Sequence, residues 1–203
     1  MRICVFVSAL SGRTFDSNSS GRLVAADAVC FPHTVAGLPH RISTLLYCFN
    51  EADEVLLLRR AQEPNLGLWS PPGGKLEVET GESPHACACR EGAEEMGLTL
   101  APRDLRFTGL VSEHGFKGTT HWLMFLFEVG PRLVRLPPPH REGEFAFITR
   151  ERLASLPLPV TDAEQIWPLF WRHRGGFFSA HCRCQVNGPN LWTLEESRPV
   201  QLV

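Results

Sequence analysis

The chain has 203 residues, 43% of them hydrophobic and 21% charged, with a formal net charge of -2. That composition suits a globular domain with a sizeable core and excludes an intrinsically disordered chain. The near-neutral balance offers no bulk attraction to a nucleic-acid backbone or an anionic membrane, and no apolar run reaches the length of a bilayer span.

Arg2 followed by Ile3 to Leu10 is near the minimum length for an export signal's apolar stretch. It reads instead as an early strand or as an extension outside the native domain. Thr14 to Gly21 is a polar loop, Leu23 to Phe31 is apolar enough for a strand, and Pro32 to His40 has the composition of a linker. Residues 1–40 are therefore expected to form an N-terminal extension, 41–178 the folded domain and 179–203 a C-terminal tail.

Within the domain, Ile42 to Phe49 and Val55 to Leu58 read as strands joined by the turn at Asn50 to Asp53, a hairpin in outline. Glu63 to Gly74, rich in Pro, Gly and Asn, is a loop. Leu105 to Val111, Trp122 to Val129 and Phe145 to Ile148 read as further strands, with a proline-rich connection from Pro131 to His140. Asp162 to Trp171 has the pattern of a helix capped by Thr161 or Asp162 and interrupted by Pro168. Strands mixed with two helices, without regular βαβ alternation, indicate an α+β sandwich.

Seven cysteines, an odd number with no convincing export signal, read as free thiols in a reducing, cytoplasmic compartment. The pairs Cys87/Cys89 and Cys182/Cys184 lack the spacing and the matched second pair of a zinc knuckle.

The chemistry concentrates in Gly73 to Leu98, GGKLEVETGESPHACACREGAEEMGL. Ser83 is a good N-cap, Pro84 suits the first turn and Gly97 suits the C-terminal cap. At about 100° per residue, Glu91, Glu94 and Glu95 fall within an arc of roughly 100°. Ala86, Cys89, Ala93 and Met96 gather on the other side and are expected to pack against a sheet. Three carboxylates so close repel one another, and they stand near the negative end of the helix dipole. A divalent cation would reverse both effects, and hard oxygen donors without Cys or His suit Mg²⁺, with Mn²⁺ as a substitute. A solvated acidic face is the plainer alternative. Arg90 lies beside this face and within reach of Glu82. Gly92 costs up to about 1 kcal/mol relative to Ala in a helix interior, and close packing against the loop is the reason considered for it.

This segment resembles the Nudix box, G-x5-E-x7-R-E-U-x-E-E-x-G-U with U apolar. Glu82, seven intervening residues, Arg90-Glu91, Glu94-Glu95, Gly97 and Leu98 match in order and spacing. Two departures stand out. Seven residues instead of five separate Gly74 from Glu82, and Gly92 occupies the first apolar position. Gly67-Leu68-Trp69 through Gly74-Lys75-Leu76-Glu77 is similar to the MutT-like branch.

The resemblance implies a Nudix fold, a mixed sheet between helices, and Mg²⁺-dependent hydrolysis of a nucleoside diphosphate linked to another group. A nucleoside triphosphate, unmodified or oxidised as in 8-oxo-dGTP, is the leading substrate, and ADP-ribose or a dinucleoside polyphosphate the second reading. A non-catalytic Nudix-fold nucleotide-binding regulator is the reading from another class; such a protein is expected to have lost helix carboxylates that this chain retains. Carried over by position, Glu91, Glu94, Glu95 and the carbonyl of Gly73 hold metal, and Glu91, Arg90 and Glu82 form the catalytic set. Gly74, Lys75 and Asp162 contact substrate, with Asp162 facing the base or else capping its helix. Glu142 and Glu144 are alternatives to Glu91 as the base that activates water. Trp122, Phe125 and Phe127 are expected in the core. The partner implied is a small nucleotide, with neither nucleic acid nor membrane, and the oligomeric state stays open.

Overall fold

A computed structural model describes residues 37–200. The strand expected at Leu23 to Phe31, and nearly all of the expected extension, lie outside the described residues.

Among the described residues, eight strands fall into two sheets. The larger is mixed, in the order β1 (His40–Tyr47), β5 (Thr120–Val129), β4 (Leu105–Phe116), β7 (Phe177–Arg183), β8 (Leu191–Arg198). Within it β1 runs parallel to β5 and β4 parallel to β7, while β4–β5 and β7–β8 are antiparallel. The smaller sheet, β3 (Trp69–Ser70), β2 (Val55–Arg60), β6 (Gly143–Ile148), is antiparallel. Helix α1 (Pro84–Met96) covers one face of the large sheet. The short α2 (Arg150–Leu153) follows β6, and α3 (Trp167–His173) covers the other face.

Alternation along the strands produces two cores. On the α1 face Leu46, Phe127, Leu105 and Val129 pack with Ala88 and Met96. On the α3 face Tyr47, Met124, Leu126, Val111 and Phe178 pack with Trp167, Leu169 and Phe170. Tyr47 and Phe170 stack at 4.1 Å between ring centroids.

Three features differ from the sequence expectations. First, β1 and β2 are not a hairpin: the turn at Asn50 carries the chain from one sheet to the other. Leu56 N–H still bonds Cys48 O at 2.8 Å, but β1 pairs with β5 and β2 with β3 and β6. Both strands are apolar on both faces, so each needs a covered position of its own. Secondly, the boundary expected at residue 178 falls inside β7. Phe178, Ala180 and Cys182 are buried there, and the segment expected as a tail supplies β7 and β8. Thirdly, Pro168 does not interrupt its helix. The turn over Asp162–Ile166 widens so that Trp167 N–H bonds Asp162 O, five residues back, and the missing proline N–H falls at the junction with α3.

β1 is an edge of the large sheet, and the glycine loop shields it. Thr44 N–H bonds Gly74 O at 2.9 Å, Leu46 N–H bonds Pro72 O at 2.8 Å, and Leu76 N–H bonds Ile42 O at 3.0 Å. This pairing sets the loop against α1.

Candidate active site

The caps of α1 form as the sequence indicates. Ser83 Oγ accepts from Ala86 N–H at 3.2 Å, and Gly97, left-handed at φ 66°, donates its N–H to the carbonyls of Ala93 and Gly92. The packed face, however, is Cys87, Ala88, Glu91, Gly92, Glu95 and Met96. Ala86 and Ala93, expected inside, are exposed. The carboxylate side and the packing side overlap because the loop at 72–76 folds onto the helix and takes Glu91 and Glu95 into the contact. Gly92 has its reason in the segment after the helix: a Cβ there would lie 2.9 Å from Leu100 Cδ1.

Gly73 and Gly74 are required by two close approaches. Gly73 has φ 140°, and a Cβ would meet Thr44 O at 2.2 Å; one on Gly74 would meet Glu91 Oε1 at 2.1 Å. The Gly73 N–H donates to Glu95 Oε2 at 3.0 Å. The two extra residues between Gly74 and Glu82 are absorbed by a single 3-10 turn, Val78–Thr80, closed by left-handed Gly81 at φ 72°. Glu82 Oε2 then accepts from Glu77 N–H at 2.9 Å.

Arg90 ties this end of the site together. Its Nε donates to Glu82 Oε1 at 2.9 Å, and Nη2 donates to Glu82 Oε2 and to Lys75 O, each at 3.0 Å. Nη1 donates to Glu91 Oε1 at 2.7 Å and Glu94 Oε2 at 3.2 Å. The guanidinium's three nitrogens spread these bonds in one plane, whereas a lysine carries three donors on a single nitrogen and cannot span the same acceptors. It holds Glu82 below the usual carboxylate range. Glu91 is raised by burial, with Arg90 opposing. Glu95 is pushed up to about 8, first by burial and then by the neighbouring charges of Glu142 and Glu91, against the Gly73 hydrogen bond.

These residues line a cavity of about 630 Å³. Gly73, Gly74, Lys75, Arg90, Glu91 and Glu95 form one end, and Trp122, Met124, Glu113, Thr161 and Asp162 also line it. The structure therefore brings most of the expected residues to one space, including Lys75 and Asp162. Glu94 is exposed and outside the lining, reaching the group through Arg90; Glu82 does the same from the opposite side. Of the two alternative bases, Glu142 lines the cavity, while Glu144 is exposed on β6. Asp162 is buried and lines it, and the Thr161 side chain makes no capping hydrogen bond to the helix. Burial and the charge of Glu113 push the Asp162 carboxyl up to about 8. Trp122, expected in the core, is a half-buried wall of the cavity. Phe127 is in the core, and Phe125 packs partly buried against it.

Two lining residues escaped the sequence reading. Arg60, at the end of β2, adds a cation whose Nε is held by Pro64 O at 2.8 Å. Glu113, on β4, is 4% exposed, with Oε1 buried and without a hydrogen-bond partner. No local spacing marks either; only strand pairing brings them here.

The donor set fits a hard divalent cation. Glu91, Glu95 and Glu142 are crowded carboxyls whose repulsion a cation relieves, with Glu94 adjacent on the helix. Arg90 engages Glu91 and Glu94, and among the described residues no group of three or more His, Cys, Asp or Glu side chains is arranged to hold a metal ion.

A carboxylate-faced helix behind a glycine loop, set on a mixed sheet between helices, defines a Nudix pyrophosphohydrolase. Residues 39–170 match the NUDIX domain family, and the chain belongs to it. Members of this family generally use a divalent metal and act on small nucleotide substrates. The chain is 31% identical over 112 residues to the uncharacterized Nudix hydrolase YvcI of Bacillus subtilis (strain 168), covering 54% of this chain and 67% of the relative. The MutT protein of Bacillus halodurans superposes with a TM-score of 0.60 at 24% identity, covering 76% of this chain and 97% of that one. That of Methanosarcina mazei Go1 gives 0.51 at 30% identity, covering 60% and 86%. Among the described residues no helix is long and apolar enough to cross a membrane.

Proposed function

We propose that the chain hydrolyses a nucleoside triphosphate, unmodified or oxidised, to the monophosphate and pyrophosphate with the aid of Mg²⁺. The observation that carries this reading is the shared cavity: the carboxylate face of α1 and the Gly73–Gly74 loop line it together with the buried Asp162.

Glu91, Glu94 and Glu95, with the Gly73 carbonyl, are the groups that would hold the cation. When bound, it neutralises phosphate charge and lowers the pKa of water. Arg90 fixes the rotamers of Glu91 and Glu94, and its bonds to Glu82 and Lys75 O hold the loop in register with the helix. Lys75 and Arg60 supply positive charge to the phosphate chain. Glu91 or Glu142 takes the proton of the attacking water; both line the cavity. Asp162 bonds the base, and Trp122 supplies a ring surface beside it.

The test is a product assay with Mg²⁺ across dGTP, 8-oxo-dGTP, ADP-ribose and a dinucleoside polyphosphate. Release of pyrophosphate and monophosphate from a triphosphate is the expected result. Turnover confined to ADP-ribose or the dinucleotide would replace this reading.

A further inference from the structure

We propose that Cys182 and Cys184 form a thiol–disulfide exchange site: a dithiol that reduces a small-molecule disulfide and closes into an internal Cys182–Cys184 disulfide. Neither thiol lines the cavity, so the site does not depend on the pyrophosphohydrolase reading.

The chain carries two C-x-C pairs, and the fold treats them differently. Cys87 and Cys89 lie on α1, where two residues turn the side chains about 200° apart. Cys87 Sγ meets Thr44 Oγ1 at 3.4 Å and the Arg90 guanidinium at 3.5 Å, while Cys89 packs against the core beside Ala88 and Met96. Cys48 Sγ rests against Met96 Sδ at 4.0 Å. At the end of β7 the second pair meets strand geometry, in which two residues return the side chain to the same face about 6.6 Å further on. β7 stops at Arg183, so Cys184 is the first residue beyond the strand. Its N–H is anchored to His114 O at 3.0 Å, and the exposed residues 185–189 follow. The two sulfurs converge to 3.8 Å. An S–S bond of about 2.05 Å is reached by a further approach of about 1.8 Å, at a position where strand pairing has already ended.

The pair is asymmetric. Cys182 is fully buried, whereas Cys184 is half-buried at the rim of an exposed loop, so an incoming disulfide meets Cys184 first. The hydrogen bond with Cys182 lowers the Cys184 thiol, against burial and the charges of Glu113 and Glu164. The same bond raises the Cys182 thiol, and burial adds to it. The Cys184 thiolate attacks one sulfur of the small disulfide; a new S–S bond forms to Cys184, the original one breaks and one small thiolate leaves. Cys182 gives up its proton to that thiolate, and its sulfur attacks Cys184 Sγ and expels the second small thiolate. The protein loses two thiol hydrogens, and the small disulfide leaves as two thiols.

The test is peptide mapping of the full chain after native exposure to oxidised glutathione, alkylation in denaturant and digestion with trypsin. Cleavage after Arg183 places the two cysteines on separate peptides, residues 175–183 and 184–203. We expect these as one linked species, lighter than their sum by two hydrogens and parted by dithiothreitol. Residues 76–90 carry Cys87 and Cys89 at the same spacing and are expected to be at least about tenfold less oxidised. In Cys182→Ser the resolving thiol is gone, and glutathione should stay trapped on Cys184. In Cys184→Ser, Cys182 should be recovered alkylated and free of glutathione. Four results overturn the proposal: both wild-type peptides alkylated and unlinked, a stable glutathione adduct on wild-type Cys184, linkage of either thiol to a different cysteine, or equal oxidation of residues 76–90. The wild-type map decides without relying on the folding of either variant.

Discussion

Two carboxyl groupings stand at one cavity, the first reaching it through Glu91, and they are handled in opposite ways. On α1, Glu91 shares Arg90 with Glu82 and Glu94, within 2.7 to 3.2 Å of its nitrogens. On β4 and the segment after Pro159, Glu113 and Asp162 are buried, and the charge of Glu113 acts on Asp162. The arginine fork holds Glu82 below the usual carboxylate range and fixes the rotamers of Glu91 and Glu94, although burial still raises Glu91. A buried pair without a cation retains a proton, and so keeps a hydrogen-bond donor that an ionised pair lacks. Glutamate and aspartate thus perform two tasks here, and the neighbours determine which.

The contrast yields four predictions. The largest effect is expected at the helix end. Glu95→Gln should lower kcat at least about a hundredfold with the fold retained, and EDTA should abolish activity that Mg²⁺ or Mn²⁺ restores. Wild-type turnover with Gln at 95, or in EDTA, removes the metal assignment.

Next, Gly73→Ala and Gly74→Ala separate loop geometry from carboxylate placement. At Gly73 the new Cβ strikes the Thr44 carbonyl at a positive φ, so stability should fall by about 1–3 kcal/mol. At Gly74 it strikes the movable Glu91 carboxylate, so kcat should fall while the melting temperature holds. Equal melting curves for the two variants would show that the loop is not pinned to β1.

Arg90→Lys retains charge and loses the fork. Unfolding in urea should show a loss of about 2 kcal/mol, because one ammonium with three donors cannot replace the bonds that Arg90 makes to Glu82, Lys75 O, Glu91 and Glu94. An unchanged midpoint would make the network dispensable.

The smallest effect is expected at the buried pair. The folded pKa of Asp162, about 8, lies above its ordinary 3.8. From pH 4 to 8 the unfolded chain loses this proton and the folded chain keeps it, so wild-type stability falls across that window. Asp162→Asn does not titrate. It should melt a few degrees higher than wild type at pH 8, with the gap closing towards pH 4. A gap that widens on acidification would reverse the sign and mean that Asp162 is ionised in the fold.

Helix α1 is legible in the sequence because its information is local. Ser83, Pro84 and Gly97 bracket one helix, and Arg90, Glu91, Glu94 and Glu95 are neighbours through its repeat alone. The Arg90–Glu82 contact is legible for the same reason, since seven intervening residues span little more than the helix's first two turns. The face that packs is not legible: Glu91 and Glu95 turn inward because Gly73 and Gly74 are bonded along β1, a long-range pairing. β1 and β2 read as one hairpin because adjacent apolar runs joined by a turn look alike whether they pair or part. β8 lies beyond the expected boundary because its residues Leu191 and Leu194, on an edge strand, remain exposed and give no clean alternation. Glu113 is an unremarkable acid in its own stretch of chain. Its carboxyl becomes buried beside the cavity, with one oxygen unpaired, only when β4 lies between β5 and β7. Spacing along one helix sets which side chains are neighbours, whereas burial and charge pairing depend on which distant segments come to rest on them.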